Sequence, residues 1–301
     1  MMKSVMLGLT IFFCTSLQAQ EVLILGVAQD AGHPQADCHK NCCASVHDGT
    51  ADPHLVSSLA ISDGLSFWII DATPDFPEQL RIAQGAFEGQ SFSGVILTHA
   101  HIGHYTGLMY LGREAMGAKS VPVFVMPRMK SYLENNGPWS QLVELKNIQL
   151  IQMIDNERVK LGEYLTLTPI LVPHRDEFSE TVGFSVASNE KNLLFIPDID
   201  KWDRWHLSLD QIIGEYDHLL LDGTFYDGRE LPGRNMEEIP HPFVVETNEL
   251  LKALSLEEKE KVQFIHLNHT NPLLNQDSKE YQEVMLSGYR VARRGDLITL
   301  Y

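Results

Sequence analysis

Basic residues are the scarce class in this chain. Lys and Arg number 23 against 40 Asp and Glu in 301 residues, a formal charge of −17 with histidine neutral. They form no dense run, and phosphate-backbone binding depends on clustered Lys and Arg that release counterions. Nucleic acid is therefore disfavoured as a partner, and so is an anionic membrane surface. Long apolar runs are lacking too. The one near the start covers residues 5–13, well short of the roughly 20 residues that a spanning helix needs, and nothing later is long enough. The sequence has no low-complexity linker and no evident internal repeat. Cysteine is sparse: four in the chain, with Cys38, Cys42 and Cys43 packed together in "PQADCHKNCCAS". That is a poor disulfide framework, because neighbouring cysteines do not bridge easily and one is left over.

What is present suffices for a folded chain. With 44% hydrophobic and 21% charged residues, a chain of this length buries a full core, as one large domain or two fused halves. The first twenty residues, "MMKSVMLGLTIFFCTSLQAQ", combine a lysine at 3, the apolar stretch and the ending "LQA" before Gln20. This is the pattern of a secretory signal peptide cut after Ala19. Cys14 lacks the small residues that precede a lipoprotein cysteine. The expectation is an exported protein, periplasmic or secreted, with no membrane anchor. In an oxidising compartment a bound metal explains the three cysteines better than thiols left free. Cys-x3-Cys-Cys with His39 alongside offers a compact zinc knuckle; the alternative is one strained disulfide plus a free thiol.

Short β-branched and apolar runs recur between Gly, Asp and Pro punctuation: "EVLILGVAQ", "SSLAIS", "SFWIIDA" and "GVILTHA", then "VPVFVMP", "LTLTPILVPH", "TVGFSVAS", "NLLFIPD", "HLLLDGT" and, as the last strand, "VQFIHLNH". These read as buried strands. Helices are expected over 75–86, 107–116 and, as an acidic helix, 245–254. Strands alternating with helices, and polar clusters at the strand ends, predict an α/β sandwich with its site on one edge.

Those strand ends carry metal-ligand residues. "ILTHAH" supplies His99 and His101, whose i, i+2 spacing in extended chain turns both rings the same way, and His104 follows as the chain enters a helix. "LVPHRDE" adds His174, "LLFIPDID" adds Asp198 and Asp200, and "FIHLNH" adds His266 and His269. A lone histidine after a strand is usually structural, whereas six with an aspartate at recurrent strand ends point to a metal centre.

"THAHIGH", the "PH" at 174, "IPD" at 198 and "IHLNHTNP" resemble the metallo-β-lactamase superfamily, with its HxHxDH motif followed by a distant His, Asp and His. "ILGVAQDAGHPQADCHKNCC", "HLLLDGTFYDGREL" and "FIHLNHTNPLL" resemble the branch that holds PqqB, of pyrroloquinoline quinone biosynthesis, and the cyclic-phosphate phosphodiesterases of phosphonate breakdown. The resemblance implies a four-layer αββα sandwich over residues 20–301 as a single hydrolase domain. It implies that His99, His101 and His174 hold a first metal, that His104 and His266 hold a second, and that Asp198 bridges them. Asp198 and His266 then stand at the catalytic centre. Asp200 is the rival for the bridge, but Asp198 directly follows "NLLFIP", as the family's aspartate does. Cys38, Cys42 and Cys43 resemble a structural zinc site with His269 as fourth ligand. The family pattern there is often Cys-x-Cys-x2-Cys, and Lys40 occupies its middle position.

Gly103 departs from the motif, which usually carries an aspartate that contributes a carboxylate to the second metal. A full first site and a weaker second one are expected, and Gly103→Asp is expected to add a ligand. The chemistry implied is hydrolysis: zinc held by imidazoles lowers the pKa of bound water from about 15.7 toward roughly 7 and polarises the electrophilic oxygen. Iron and manganese also suit imidazole ligation. The substrate expected is a small molecule with an ester, phosphodiester or lactone-type bond. Tyr105, Trp139, Trp202, Trp205 and Tyr226 either line its pocket or pack in the core. The alternatives are a PqqB-like oxidative or accessory role in cofactor biosynthesis, and a non-catalytic metal-binding protein.

Overall fold

In the computed structural model, which describes residues 19–233, 235 and 238–301, the strands are β1 (Glu21–Gly26), β2 (Ser58–Ser62), β3 (Ser66–Ile70), β4 (Ser91–Ile96), β5 (Val121–Val125), β6 (Ile148–Gln152), β7 (Val159–Lys160), β8 (Thr166–Leu171), β9 (Val182–Ala187), β10 (Asn192–Ile196), β11 (His218–Asp222), β12 (Val262–Ile265), β13 (Arg290–Val291) and β14 (Leu297–Thr299). They form two seven-stranded sheets, ordered β14-β1-β2-β3-β4-β5-β6 and β13-β12-β11-β10-β9-β8-β7. The signal-peptide segment lies, up to residue 18, outside the described residues.

Alternation along the strands builds the layers. Val22 and Ile24 of β1 face the core between the sheets, together with Leu193 and Phe195 of β10. Their neighbours Leu23 and Leu25 turn outward under Phe76, Leu80 and Ala83 of helix α1 (Phe76–Ala86). Leu194 and Ile196 turn outward into a third cluster with Val244 and Val284. Strands buried on both faces read as continuous apolar runs because each face has its own partner. The result is the expected four-layer αββα sandwich.

The ten runs read as strands are all strands here. β6, β7, β13 and β14 go beyond that reading, and "VQFIHLNH" is not the last strand. β13 and β14 have two and three residues, too few to show a period, yet β14 closes the first sheet by pairing antiparallel with β1. The helix expected over 107–116 is instead the single turn α2 (Ile102–Tyr105) followed by a 3-10 turn, Thr106–Leu111. The expected acidic helix is α3 (Val244–Leu250), and a separate helix begins at Leu256, capped by the Ser255 side chain accepting from the Glu258 N–H. Among the described residues no helix is long and apolar enough to cross a membrane.

Two stitches bring the sheets together at one edge. Val182 N–H of β9 donates to the Thr98 carbonyl just past β4 (3.2 Å), and beyond β1 the Leu267 N–H donates to Val27 O (2.7 Å) while Gln29 N–H donates to Leu267 O (2.9 Å). β10, β11 and β12 run parallel, with Ile196 beside Leu221 and Leu221 beside Phe264, so their C-terminal ends emerge side by side at that edge.

The turn after α2 is fixed by close approach. Gly107 N–H donates to Ala72 O (2.8 Å), and a Cβ on Gly107 would lie 2.1 Å from the Thr73 carbonyl oxygen. Gly107→Ala is therefore expected to destabilise the fold by about 1–3 kcal/mol through overpacking against backbone. Urea denaturation checks it: the midpoint should fall at unchanged m-value, and an unchanged midpoint would show that the turn tolerates a side chain.

Candidate metal centre

The side chains of this centre leave strand ends or the turns just after them. Asp30 follows β1, Asp71 follows β3, His99 and His101 follow β4, and His104 sits on α2. His174 follows β8, Asp198 and Asp200 follow β10, Asp222 ends β11, and His266 follows β12. His241 reaches in from the loop before α3. Three overlapping groups result, in each of which the candidate ligand atoms lie within 4.8 Å of one another: His99, His101, His174 and Asp198; Asp30, His104, Asp198 and His266; and Asp198, Asp222 and His241.

Asp198 is common to all three. Its Oδ1 stands 3.2 Å from His174 Nε2 and 3.2 Å from His241 Nδ1, and its Oδ2 stands 3.3 Å from His99 Nε2 and 3.8 Å from both His104 Nε2 and His266 Nε2. Asp200 does not compete for that position. It lies behind His174, 3.3 Å from Nδ1, and pairs outward with Arg204 at 2.9 Å. His99 Nε2 and His101 Nδ1 face each other at 2.9 Å, and His101 Nε2 meets Glu177 Oε2 at 3.0 Å.

Outer partners set the tautomers. His104 Nδ1 lies 2.7 Å from Asp71 Oδ2, and a carboxylate only accepts, so a ring proton sits there and Nε2 is the nitrogen left to face the cluster. Thr224 Oγ1 donates to Asp222 Oδ1 (2.7 Å) and so accepts from His266 Nδ1 (2.9 Å). Thr98 Oγ1 donates to Asp71 and stands 2.9 Å from His99 Nδ1. In each case Nε2 turns toward the cluster. The backbone is held in unusual conformations to do this: Asp71 has φ +67° and His266 φ +63°, the left-handed region that costs an L-residue about 1–3 kcal/mol.

The fit to a cation can be tested on these atoms. Asp30 Oδ1, His104 Nε2, His174 Nε2, His266 Nε2 and Asp198 Oδ1 are all buried without a hydrogen-bond partner. Folded proteins leave few such atoms, and here five converge. The charge agrees. Among the described residues, only histidines make ion pairs with Asp30, Asp71, Asp198 and Asp222, and the last three are almost fully buried. Burial opposes ionisation of Asp198, but His174, His241 and His266 hold its carboxyl well below the usual range. Burial likewise opposes charging of His104, yet Asp71 and Asp30 raise it well above the ordinary imidazole value. Against burial, Asp222 and Asp198 raise His241 to about 9. Burial depresses His99 and His266. Buried carboxylates in this number need positive charge, and oxygen with imidazole nitrogen suits divalent cations.

A second cluster lies apart from the first. Cys38, Cys42 and Cys43 are all free, so the disulfide alternative does not hold. Cys38 Sγ and Cys42 Sγ are 3.7 Å apart, and His269 Nδ1 lies 3.6 Å from Cys42 Sγ and 3.4 Å from Cys43 Sγ. Ligands about 2.3 Å from a tetrahedral zinc stand about 3.8 Å from one another. His39 is not part of the group: it points outward, is exposed, and meets Asp37 at 3.5 Å.

Of the two readings left open for the aromatic residues, core packing holds. Trp202, Trp205 and Tyr226 belong to the outer core beneath the second sheet, with Trp202 Nε1 donating to Thr247 Oγ1 and Trp205 Nε1 to Leu171 O. Tyr105 and Trp139 pack with Tyr132 outside the first sheet. Four residues of the centre escape the sequence reading: Asp30, Asp71, Asp222 and His241. Asp222 ends an apolar run as Asp198 does, and the same rule finds it. His241 lies in a loop with no such signal.

Residues 68–267 match the family model described as the beta-lactamase superfamily domain. The chain is 27% identical to coenzyme PQQ synthesis protein B of Pseudomonas entomophila (strain L48), over 91% of this chain and 98% of that one. It is 29% identical to the protein of the same name in Acinetobacter baylyi, over 92% and 99%. Zn(2+)-bound PqqB from Methylobacterium extorquens superposes with a TM-score of 0.77 at 23% identity, covering 92% of this chain and 99% of that one. A diphosphatase from the PhnP family superposes at 0.63 and 20% identity, covering 93% and 96%. The expected export does not stand. The relatives matched over nearly their whole length are named for the synthesis of a coenzyme, and the segment on which export rested lies, but for Ala19, outside the described residues.

The cysteine cluster yields a prediction. Cys43→Ser removes one soft ligand, so bound metal should fall by about one per chain and the melting temperature should drop, because metal binding there is part of the folding free energy. Metal content by mass spectrometry and a melting curve check it; no change in either would mean that the three cysteines hold no ion.

Proposed function

The chain belongs to the beta-lactamase superfamily, and on that premise we propose that it is a zinc-dependent hydrolase acting on an ester, phosphodiester or lactone-type bond of a small molecule. The observation that carries this reading is Asp198, one carboxylate common to all three groups of ligand atoms. His99, His101, His174 and Asp198 would hold one cation, and His104, Asp198 and His266 a second. Bound there, divalent cations supply Lewis acidity, lowering the pKa of coordinated water and polarising the oxygen of the bond to be cleaved. Zinc suits both donor sets, nitrogen with oxygen here and sulfur with nitrogen at Cys38, Cys42, Cys43 and His269, and the related PqqB structure is described as zinc-bound.

The protein's own residues fix the geometry. Asp71 and Thr224 hold the Nδ1 protons of His104 and His266 and so aim both Nε2 lone pairs inward. His241 Nδ1–H donates to Asp222 Oδ2 at 2.8 Å and faces Asp198 Oδ1 at 3.2 Å, so one ring ties two carboxylates together. Asp222 Oδ2 also accepts from Ile199 N–H (3.1 Å), which fixes the chain just beyond Asp198. A small neutral or weakly charged substrate fits a protein of formal charge −17 better than nucleic acid does.

The names of the near-full-length relatives favour a second reading, a redox or accessory step in coenzyme synthesis. Oxygen consumption and anaerobic metal analysis separate it from hydrolysis, which needs neither oxygen nor a redox-active ion. For the hydrolase reading the test is a screen of generic phosphodiesters, esters and lactones with the zinc-loaded protein. His101→Ala and His174→Ala are each expected to lower turnover by several orders of magnitude with a native circular dichroism spectrum, since a ligand is lost while the core is untouched. Retained turnover in either variant would place the chemistry elsewhere.

A further inference from the structure

Glycine stands at 103, where the superfamily motif carries aspartate, and the structure shows what fills the space. A Cβ on Gly103 would lie 2.4 Å from Asp30 Cα and 2.6 Å from Asp30 Oδ1. The first contact is with backbone, which cannot swing away. Gly103 lies inside α2 and is not among the glycines of positive φ, so conformation does not require glycine there; room does.

The carboxylate that takes this room is aimed at the second group of ligands. Asp30 Oδ1 is 3.2 Å from His104 Nε2, is buried and has no hydrogen-bond partner, and one carboxylate oxygen of Asp30 lies within 4.8 Å of the candidate ligand atoms of His104, Asp198 and His266. Its backbone is not a loose loop. Gly32 N–H donates to Gln29 O (2.8 Å), and Gln29 N–H donates to the carbonyl of Leu267, the residue after His266. The turn that carries Asp30 is thus tied to the strand end that carries His266.

We propose that Asp30 is the carboxylate ligand of the second cation, supplied from the turn after β1 instead of from residue 103, and that Asp30 and Gly103 are a matched pair in which each residue requires the other. The proposal rests on the two-cation reading above. It reverses the expectation drawn from the motif: the second position is not short of an oxygen, and aspartate at 103 adds no ligand while Asp30 is in place.

The experiment is titration of the metal-free full chain with Zn2+ alone, by calorimetry and by metal content after dialysis. Wild type should take up three ions: two at the histidine centre and one at the cysteines. Asp30→Ala, and the isosteric Asp30→Asn, should lose one of these or bind it at least about tenfold more weakly, on the scale of losses seen when metal sites lose supporting groups. Gly103→Asp should gain no ion and should melt at lower temperature than wild type. The exchange Asp30→Gly/Gly103→Asp should recover three ions and melt above Gly103→Asp, which separates a ligand role from a merely structural one. Unchanged stoichiometry and affinity in both Asp30 variants would overturn the proposal, as would tighter binding in Gly103→Asp alone. A wild-type chain with only one ion at the histidine centre would instead sink the two-cation reading, and the proposal with it; that failure appears before any variant is made.

Discussion

One buried carboxylate organises this protein. Asp198 stands within 3.8 Å of ring nitrogens from five histidines, contributed by four separate stretches of chain. A charge taken out of water must be met by opposite charge or by hydrogen bonds, and an imidazole does this only in the right tautomer and orientation. The requirement therefore spreads outward to Asp71, Thr98, Asp222 and Thr224, which fix the proton positions, and to the strand ends that place them all. Left-handed backbone at Asp71 and His266 is strain that survives because the surrounding strands and hydrogen bonds over-determine it.

The fold supplies the convergence. Sheets built from strands buried on both faces direct apolar side chains into the layers, and polar residues gather where those strands run out. Parallel register then turns a linear rule into a spatial one: strand ends far apart in sequence, at 198, 222 and 266, are neighbours because β10, β11 and β12 run side by side in the same direction. The cross-links between Thr98 and Val182 and between Val27, Gln29 and Leu267 bring the other sheet's contribution to the same place.

This explains how much could be read from the sequence. Strand identity and the sandwich class follow from apolar runs with polar ends, and His99, His101, His104, His174, Asp198 and His266 stand at such ends in a spacing that is hard to assign to packing. The residues that were not legible act through partners. Asp71 and Asp222 end apolar runs as Asp198 does, but the role of each is known only by the imidazole it holds, and His241 is known only by the two carboxylates it joins. Asp30 is a different case, because its meaning lies in a collision with residue 103 that no linear spacing expresses. The three-residue strand β14 is legible only once β1 is there to pair with it. The five aromatics, open between pocket lining and core packing in the sequence, follow the more general rule that large rings pack.

The proposed pair of cations has a counterpart in the charge of the centre. Asp30, Asp71, Asp198 and Asp222 bring four negative charges to the centre when ionised, and with neutral imidazoles two divalent cations would balance them. A single ion would leave two buried or half-buried carboxylates unbalanced by metal, and the carboxylates beside His104 and His241 raise both imidazoles above the ordinary value. Moving a carboxylate from 103 to 30 leaves that balance intact. A metal site constrains the position and charge of its donor atoms, not the order of the residues that bear them, so an aspartate can change strands as long as glycine gives it room.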